Sequence, residues 1–328
     1  MIFIFIVLNS FVTLGFKKIK LFKYLIDKPD GKRKIHLKPT PLAGGIILIA
    51  NIFILFIIIN FNPDYLTKDV FFKDKSELYI FFISAFTIFL LGLVDDKYNL
   101  SANLKILILS IIIIFALYFD NSLIISNIKI SFIDNTIGTK NLGLLFSLFC
   151  ILVFLNAFNM FDGINLQASS YSLTIFLFLS FTVINSLLIK IIIVFLIFYS
   201  LLNYKNETFL GDNGSLLLAF LISYIFIKFY NLELIKFADE IFIYMMLPGV
   251  DLIRLFFKRA INKKNPLKPD KDHLHHLLIS RFSLKKSLLI LNLMIIVPIF
   301  LNYLNINKLV IILSSILIYT IVIKRLKT

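Results

Sequence analysis

The chain has 328 residues, of which 59% are hydrophobic and 16% charged, with a net charge of +15. Soluble domains average about 45–50% apolar and about 25% charged, so a mean hydropathy of +0.92 excludes an ordinary cytosolic domain and a disordered chain. The single cysteine, Cys150, excludes a disulfide framework and any cysteine-based metal site.

Eleven apolar windows of membrane-spanning length follow one another, near 1–16, 43–61, 77–94, 102–119, 143–160, 164–184, 187–202, 215–230, 237–257, 284–303 and 308–323. They predict an all-α, polytopic membrane bundle forming one integral domain over 1–328. The first window lacks a basic flank before it and a small-residue cleavage site. It is followed instead by Lys17, Lys18, Lys20 and Lys23, as expected of an uncleaved first helix with its N-terminus outside. Alternating the connections from there places 25 Lys+Arg and 10 Asp+Glu inside, against 9 and 9 outside. Basic residues collect on the cytoplasmic side, so the C-terminus with Lys324, Arg325 and Lys327 is expected inside. The outer loops near 62–76 and 120–142 show turn residues and no clustered chemistry.

The first inner loop carries Lys32, Arg33, Lys34 and His36, with Pro29, Pro39 and Pro41 preventing a regular helix. It reads either as a basic juxtamembrane turn or as an anion-capturing loop. Gly44 and Gly45 then open the second span and permit close backbone approach. The third span ends in Asp95-Asp96. Acidic residues at such a helix end are costly unless solvated, paired or bound to a cation. Ser101 is placed to cap the following helix, with Lys105 one turn inside it.

The fifth span ends with Asn156, Asn159 and Asp162 at i, i+3, i+6, then Gly163. Such a stripe suits a hard cation and polar ligand groups, or polar contacts between helices. After the seventh span come Phe209, Gly211, Asp212, Asn213, Gly214 and Ser215. Asn213-Gly214 reads as a turn, and Ser215 as the N-cap of the eighth span. In the ninth span, Asp251 and Arg254 are spaced to pair with each other. The last inner loop holds His273, His275 and His276. Histidines at i, i+2, i+3 do not readily converge on a tetrahedral zinc, so phosphate or sugar contacts are the better expectation. Under the charge-derived orientation every one of these motifs lies on the cytoplasmic side. Carboxylates with lysines, glycines and histidines on one face point to Mg²⁺-assisted phosphoryl chemistry.

Taken in order, these motifs make the chain resemble the polyprenyl-phosphate N-acetylhexosamine-1-phosphate transferases, from Asp27 to about Leu278. The resemblance rests on Arg33-Lys34-x-His36 with Pro41 and Gly44-Gly45; on Asp95-Asp96 with Leu100-Ser101 and Lys105; on Asn156, Asn159 and Asp162-Gly163; on Phe209-x-Gly211-Asp212-x-Gly214-Ser215; and on His273-x-His275-His276. The histidine loop and the eleven spans are more similar to the branch acting on UDP-N-acetylhexosamines than to the muramoyl-pentapeptide branch. One departure is visible: family members often read Asp-Gly-x-Asp-Gly after the fifth span, and here Asn165-Leu166 replaces the second Asp-Gly.

The resemblance implies transfer of a sugar-1-phosphate from a UDP-sugar, UDP-GlcNAc or another UDP-N-acetylated sugar, to undecaprenyl phosphate with release of UMP. It implies a multi-pass protein of the bacterial inner membrane, Mg²⁺ or Mn²⁺ as cofactor, a possible homodimer and no nucleic-acid partner. By the same resemblance Asp162 leads the metal site with Asp96 in support, and Asp95 deprotonates or positions the lipid phosphate. Asn159 and Lys105 serve the diphosphate, Asn156 is a further substrate-binding residue, and Asp212 binds nucleotide or sugar or braces the site. Arg33, His36, His273, His275 and His276 contact phosphate or sugar. A secondary transporter is the distant alternative, disfavoured because the charges sit at helix ends and no repeat is present.

Overall fold

The computed structural model describes residues 1–19, 25–29, 38–62, 64–68, 71–183, 186–263 and 272–327. Thirteen α-helices run through these residues: α1 (Ile2–Gly15), α2 (Gly44–Phe61), α3 (Asp64–Lys68), α4 (Lys75–Tyr98), α5 (Ala102–Phe119), α6 (Gly143–Phe161), α7 (Gln167–Thr182), α8 (Leu187–Tyr204), α9 (Gly211–Asn231), α10 (Ala238–Ile261), α11 (Leu274–Arg281), α12 (Leu284–Tyr303) and α13 (Lys308–Lys327). Each apolar window of the sequence coincides with a helix. Eight of these helices, α2, α4, α5, α6, α8, α9, α12 and α13, are long and apolar enough to cross a bilayer. The other three fall short for physical reasons. α1 and α7 have 14 and 16 residues. α10 is longer but carries Asp239, Glu240, Asp251, Arg254, Lys258 and Arg259. The protein is therefore a polytopic helical membrane protein.

Helix α9 is the axis of the bundle. Ninety-four per cent of its apolar window is buried, the mark of a helix surrounded by others. It packs on α2, α4 and α6. Close approach at its start is made possible by glycines on two neighbours. A Cβ at Gly45 would stand 2.0 Å from Asn213 Oδ1, and one at Gly92 would stand 2.4 Å from Asn213 Cα. Three helix ends, the starts of α2 and α9 and the end of α4, thus meet at backbone distance.

A second set of charges meets at the opposite end. The loops near 62–76 and 120–142, read as lacking clustered chemistry, flank a buried charge triad. Lys228 of α9, 3% exposed, lies 2.8 Å from Glu77 Oε2 and 3.0 Å from Asp120 Oδ2. It ties the end of α9 to the start of α4 and the end of α5. The triad was hidden because Lys228 lies more than 100 residues from both of its partners in sequence. An antiparallel hairpin covers this end, β3 (Asn127–Ile130) with β4 (Ile133–Gly138). It is held by Ser131 N on Asp239 Oδ1 at 3.0 Å and by Tyr230 Oη on Asn127 O at 2.9 Å. A smaller ladder, β1 (Ile26–Asp27) with β2 (Thr40–Pro41), joins the two ends of the first basic loop.

Candidate functional site

The site is assembled from the helix ends opposite that hairpin. Helix α4 terminates with Asn99 in the left-handed region at φ 52°, and Leu100 N donates to Asp95 Oδ1 at 2.8 Å. Ser101 caps α5 as its sequence position predicts, accepting from Leu104 N. The tight turn brings Lys105, one turn into α5, back against Asp95 Oδ2. The same ammonium lies 2.9 Å from Asp212 Oδ2. Asn159 of α6 donates through Nδ2 to Asp212 Oδ1 at 2.8 Å and to Ser215 Oγ at 2.7 Å. Asp95, Lys105, Asp212, Asn159 and Ser215 therefore form one continuous polar network drawn from α4, α5, α6 and α9.

The expected cap of α9 is not Ser215. The helix begins four residues earlier, at Gly211, which takes φ +74°, and Asn213-Gly214 is helical rather than a turn. The cap comes from a different helix. Asp96 Oδ1 accepts from Asp212 N at 2.8 Å, and Asp96 Oδ2 accepts from Asn213 N at 3.0 Å and from Asn213 Nδ2. A carboxylate satisfies the exposed N–H groups and the positive end of the helix dipole together. Nothing within 116 residues of sequence announces that partner, so local reading assigned the nearest serine instead. Both Asp96 oxygens are thereby committed to holding α9.

Asp162 stands at the C-cap of α6, its backbone N bonded to Phe158 O. Among the described residues its carboxylate makes no hydrogen bond or ion pair. Burial, then the charges of Asp212 and Asp96, push its pKa up to about 7. Asn156 Nδ2 bonds back to Leu152 O in its own helix at 2.8 Å, whereas Asn159 reaches across to α9.

The departure at Asn165-Leu166 has a visible structural cost. Leu166 takes φ +66°, a region where a glycine is at ease and a side chain is strained by about 1–3 kcal/mol. Asn203 Oδ1 holds it there by accepting from Leu166 N at 2.6 Å, and Asn165 donates to Asn203 O at 3.1 Å. Leu166→Gly is expected to raise unfolding stability by about 0.5–1 kcal/mol net of the added chain entropy, read as a higher thermal midpoint in detergent; a lower midpoint would refute the strain.

The histidine segment, expected as a loop, is the start of α11, with His273 at its N-cap and His275 and His276 in its first turn, and it closes over this end. A Cβ at Gly163 would stand 2.0 Å from His275 Nε2, so the glycine is what lets the imidazole lie on the α6–α7 turn beside Asp162. His275 is 2% exposed, and burial, then His276 and His273, drive its pKa well below 6.5. It packs as a buried wedge on that turn, with its ring against Gly163. His273 stacks parallel to it at 5.5 Å, and the half-buried His276 ring lies 4.3 Å away. The loop is anchored by Asp251, which sequence reading saw only as a partner for Arg254. Asp251 does pair with Arg254 Nη2 at 2.8 Å, but its other oxygen meets His273 Nδ1 at 2.8 Å.

Arg33 and His36 lie outside the described residues. The exit of their loop, however, is stitched to the segment before α9. Phe209 N donates to Pro41 O at 2.9 Å, Gly44 N to Phe209 O at 3.1 Å and Ala43 N to Thr208 Oγ1 at 3.1 Å.

Fold and site together define the class: a multi-pass helical membrane protein with a lysine-bridged carboxylate cluster and a histidine loop at one end. Residues 78–230 match the profile of glycosyl transferase family 4, a span that includes Asp95, Asp96, Lys105, Asn159, Asp162 and Asp212. The chain is also 27% identical over 284 residues, 87% of its length and 81% of the relative, to an undecaprenyl-phosphate alpha-N-acetylglucosaminyl 1-phosphate transferase of Thermotoga maritima. Proteins of the same name from Yersinia pestis and Salmonella typhi are 26% and 24% identical over 85% of this chain and 76% and 75% of their own.

Proposed function

We propose that this protein transfers N-acetylglucosamine-1-phosphate from UDP-GlcNAc to undecaprenyl phosphate, releasing UMP, at the cytoplasmic face of a bacterial inner membrane. The observation that carries the reading is the convergence of Asp95, Asp96, Asp162, Asp212, Lys105 and the histidine loop at one end of the bundle, in a chain similar to transferases of that name. The net basic charge of the connections at that end supports placing it inside, with eleven crossings and the N-terminus outside. A lipid phosphate there keeps its tail in the bilayer while the nucleotide arrives from water.

In the transfer, an oxygen of the lipid phosphate bonds to the sugar-linked phosphorus of the donor, and the bond from that phosphorus to the bridging oxygen of UMP breaks. Two anions must approach and charge builds on the leaving UMP, so positioned cations carry the catalysis. Lys105, fixed between Asp95 and Asp212, is a cation held at the mouth of the network. Asp95 positions it, and Asn159 holds Asp212 in register. Asp96 sets the start of α9, and with it the location of Asp212. His273 and His276 offer ring nitrogens to donor phosphate or sugar.

Mg²⁺ takes one or two carboxylates and leaves its other positions to water and substrate phosphate. Asp162, whose carboxylate has no hydrogen-bond or ion-pair partner among the described residues, fits the place of one such carboxylate; among the same residues no group of three or more His, Cys, Asp or Glu is placed to hold a metal ion. Bound there, the cation would neutralise diphosphate charge.

The test is UMP release by the purified protein from UDP-GlcNAc and undecaprenyl phosphate, with and without EDTA, beside other UDP-N-acetylated sugars. Turnover confined to UDP-GlcNAc and abolished by EDTA supports the reading; none with any UDP-sugar overturns it. A second result follows from the raised pKa of Asp162. Its folded pKa of about 7 lies above the ordinary value of 3.8, so the metal-free fold binds a proton that the unfolded chain has lost. Its contribution to stability is present below pH 4 and falls away as pH rises to 7. Mg²⁺ is therefore expected to raise the thermal midpoint at pH 8 and barely at pH 5. An equal effect at both, or one that persists in Asp162→Asn, removes Asp162 from the metal site.

A further inference from the structure

The last helix belongs to none of the motifs that carry the functional reading, yet it enters the hydrogen-bond chain behind the histidine loop. Tyr319, in the body of α13, is 3% exposed. Its Oη lies 2.6 Å from Asp251 Oδ1 and 2.6 Å from Arg254 Nε. Arg254 Nη2 also donates to Asp251 Oδ1 at 2.8 Å and to Asp272 O at 2.6 Å. Asp251 further accepts from Leu274 N at 3.3 Å and faces His273 Nδ1 at 2.8 Å.

The donor–acceptor inventory fixes the direction of every link. Arginine has no acceptor, so Tyr319 Oη receives from Arg254 and must give its single proton to Asp251. An ionised carboxylate has no proton to offer, so His273 Nδ1 is the donor in its pair. That leaves His273 Nε2 as the ring atom available to a ligand. A carboxylate that fixes a histidine tautomer through Nδ1–H is a known device for presenting the far nitrogen.

We propose that Tyr319 is a positioning residue for donor binding: with Arg254 it holds Asp251 in the rotamer that keeps His273 Nδ1-protonated and its Nε2 aimed at the UDP-sugar. The C-terminal helix is then part of the active-site support as well as a membrane anchor. This rests on the transferase reading for the identity of the donor, but the histidine geometry does not.

The test uses the full chain in lipid nanodiscs and the variants Tyr319→Phe, His273→Ala and their combination. Phe keeps the ring and removes both hydrogen bonds of the hydroxyl, the one given to Asp251 and the one received from Arg254, so KM for UDP-GlcNAc is expected to rise about 5–10-fold, with kcat and the KM for undecaprenyl phosphate unchanged. In the His273→Ala background the same change is expected to add nothing, because its effect passes through that ring. Unchanged donor KM, additive effects in the cycle, or a shift of kcat and both KM values together would each overturn the proposal. Nitrogen-15 NMR of the histidines decides the case separately: a single Nδ1–H tautomer for His273 in the parent and a mixture in Tyr319→Phe supports it, and identical spectra refute it. Should the parent protein release no UMP from any UDP-sugar, the transferase reading fails while the spectra still judge the positioning role.

Discussion

Asp162→Asn is expected to lower kcat for UMP release by about 10³-fold, roughly 4 kcal/mol of transition-state stabilisation, with normal expression and membrane insertion. The amide is isosteric with the carboxylate, and among the described residues the carboxylate has no hydrogen-bond partner to lose. Removing the charge also relieves its repulsion with Asp212 and Asp96, so thermal stability without metal should hold or rise. A variant that is folded, stable and inactive would show that Asp162 serves chemistry at the expense of stability. Near-normal turnover would instead remove the residue from the reaction and leave Asp96, already committed to α9, as a poor substitute.

Lys105→Ala carries the second large effect, with the opposite pattern. Lys105 is the cation between Asp95, 4% exposed, and Asp212. Deleting it leaves two carboxylates facing each other at a buried helix junction. Breaking a buried pair from one side costs about 3–5 kcal/mol, so both the thermal midpoint and kcat/KM should fall, the latter by more than about 10²-fold. The double variant Lys105→Ala with Asp212→Asn separates the two roles. Neutralising Asp212 should recover part of the lost stability and none of the activity. If Lys105→Ala alone matches the parent protein in both measurements, the lysine bridge is incidental and the network built on it has no function.

Legibility in the sequence follows the range of the forces involved. Ser101 was readable as the cap of α5 because a capping side chain and its target N–H are three residues apart. Ser215 misled for the same reason: it was the nearest candidate, while the actual cap, Asp96, arrives on another helix. Gly44-Gly45 signalled close approach, but not that the approaching backbone is Asn213-Gly214. The histidines were visible as a group, without the distinction between a buried wedge at His275, an anchored ring at His273 and the more open His276. Asp251 looked like half of an i, i+3 pair, since its contacts with His273 and Tyr319 span 22 and 68 residues.

By itself the sequence determined the eleven long apolar helices and their order, though not the short α3 and α11, and the residue types available for phosphate chemistry. Bilayer thickness demands long apolar runs, and the cost of an unsatisfied backbone in lipid makes each of them helical. Only the tertiary structure decided which carboxylate caps a helix, which grips the lysine and which has no partner among the described residues. Those assignments depend on how three glycine-lined helix ends meet, and an approach too close for a Cβ is not written in any local window of the chain.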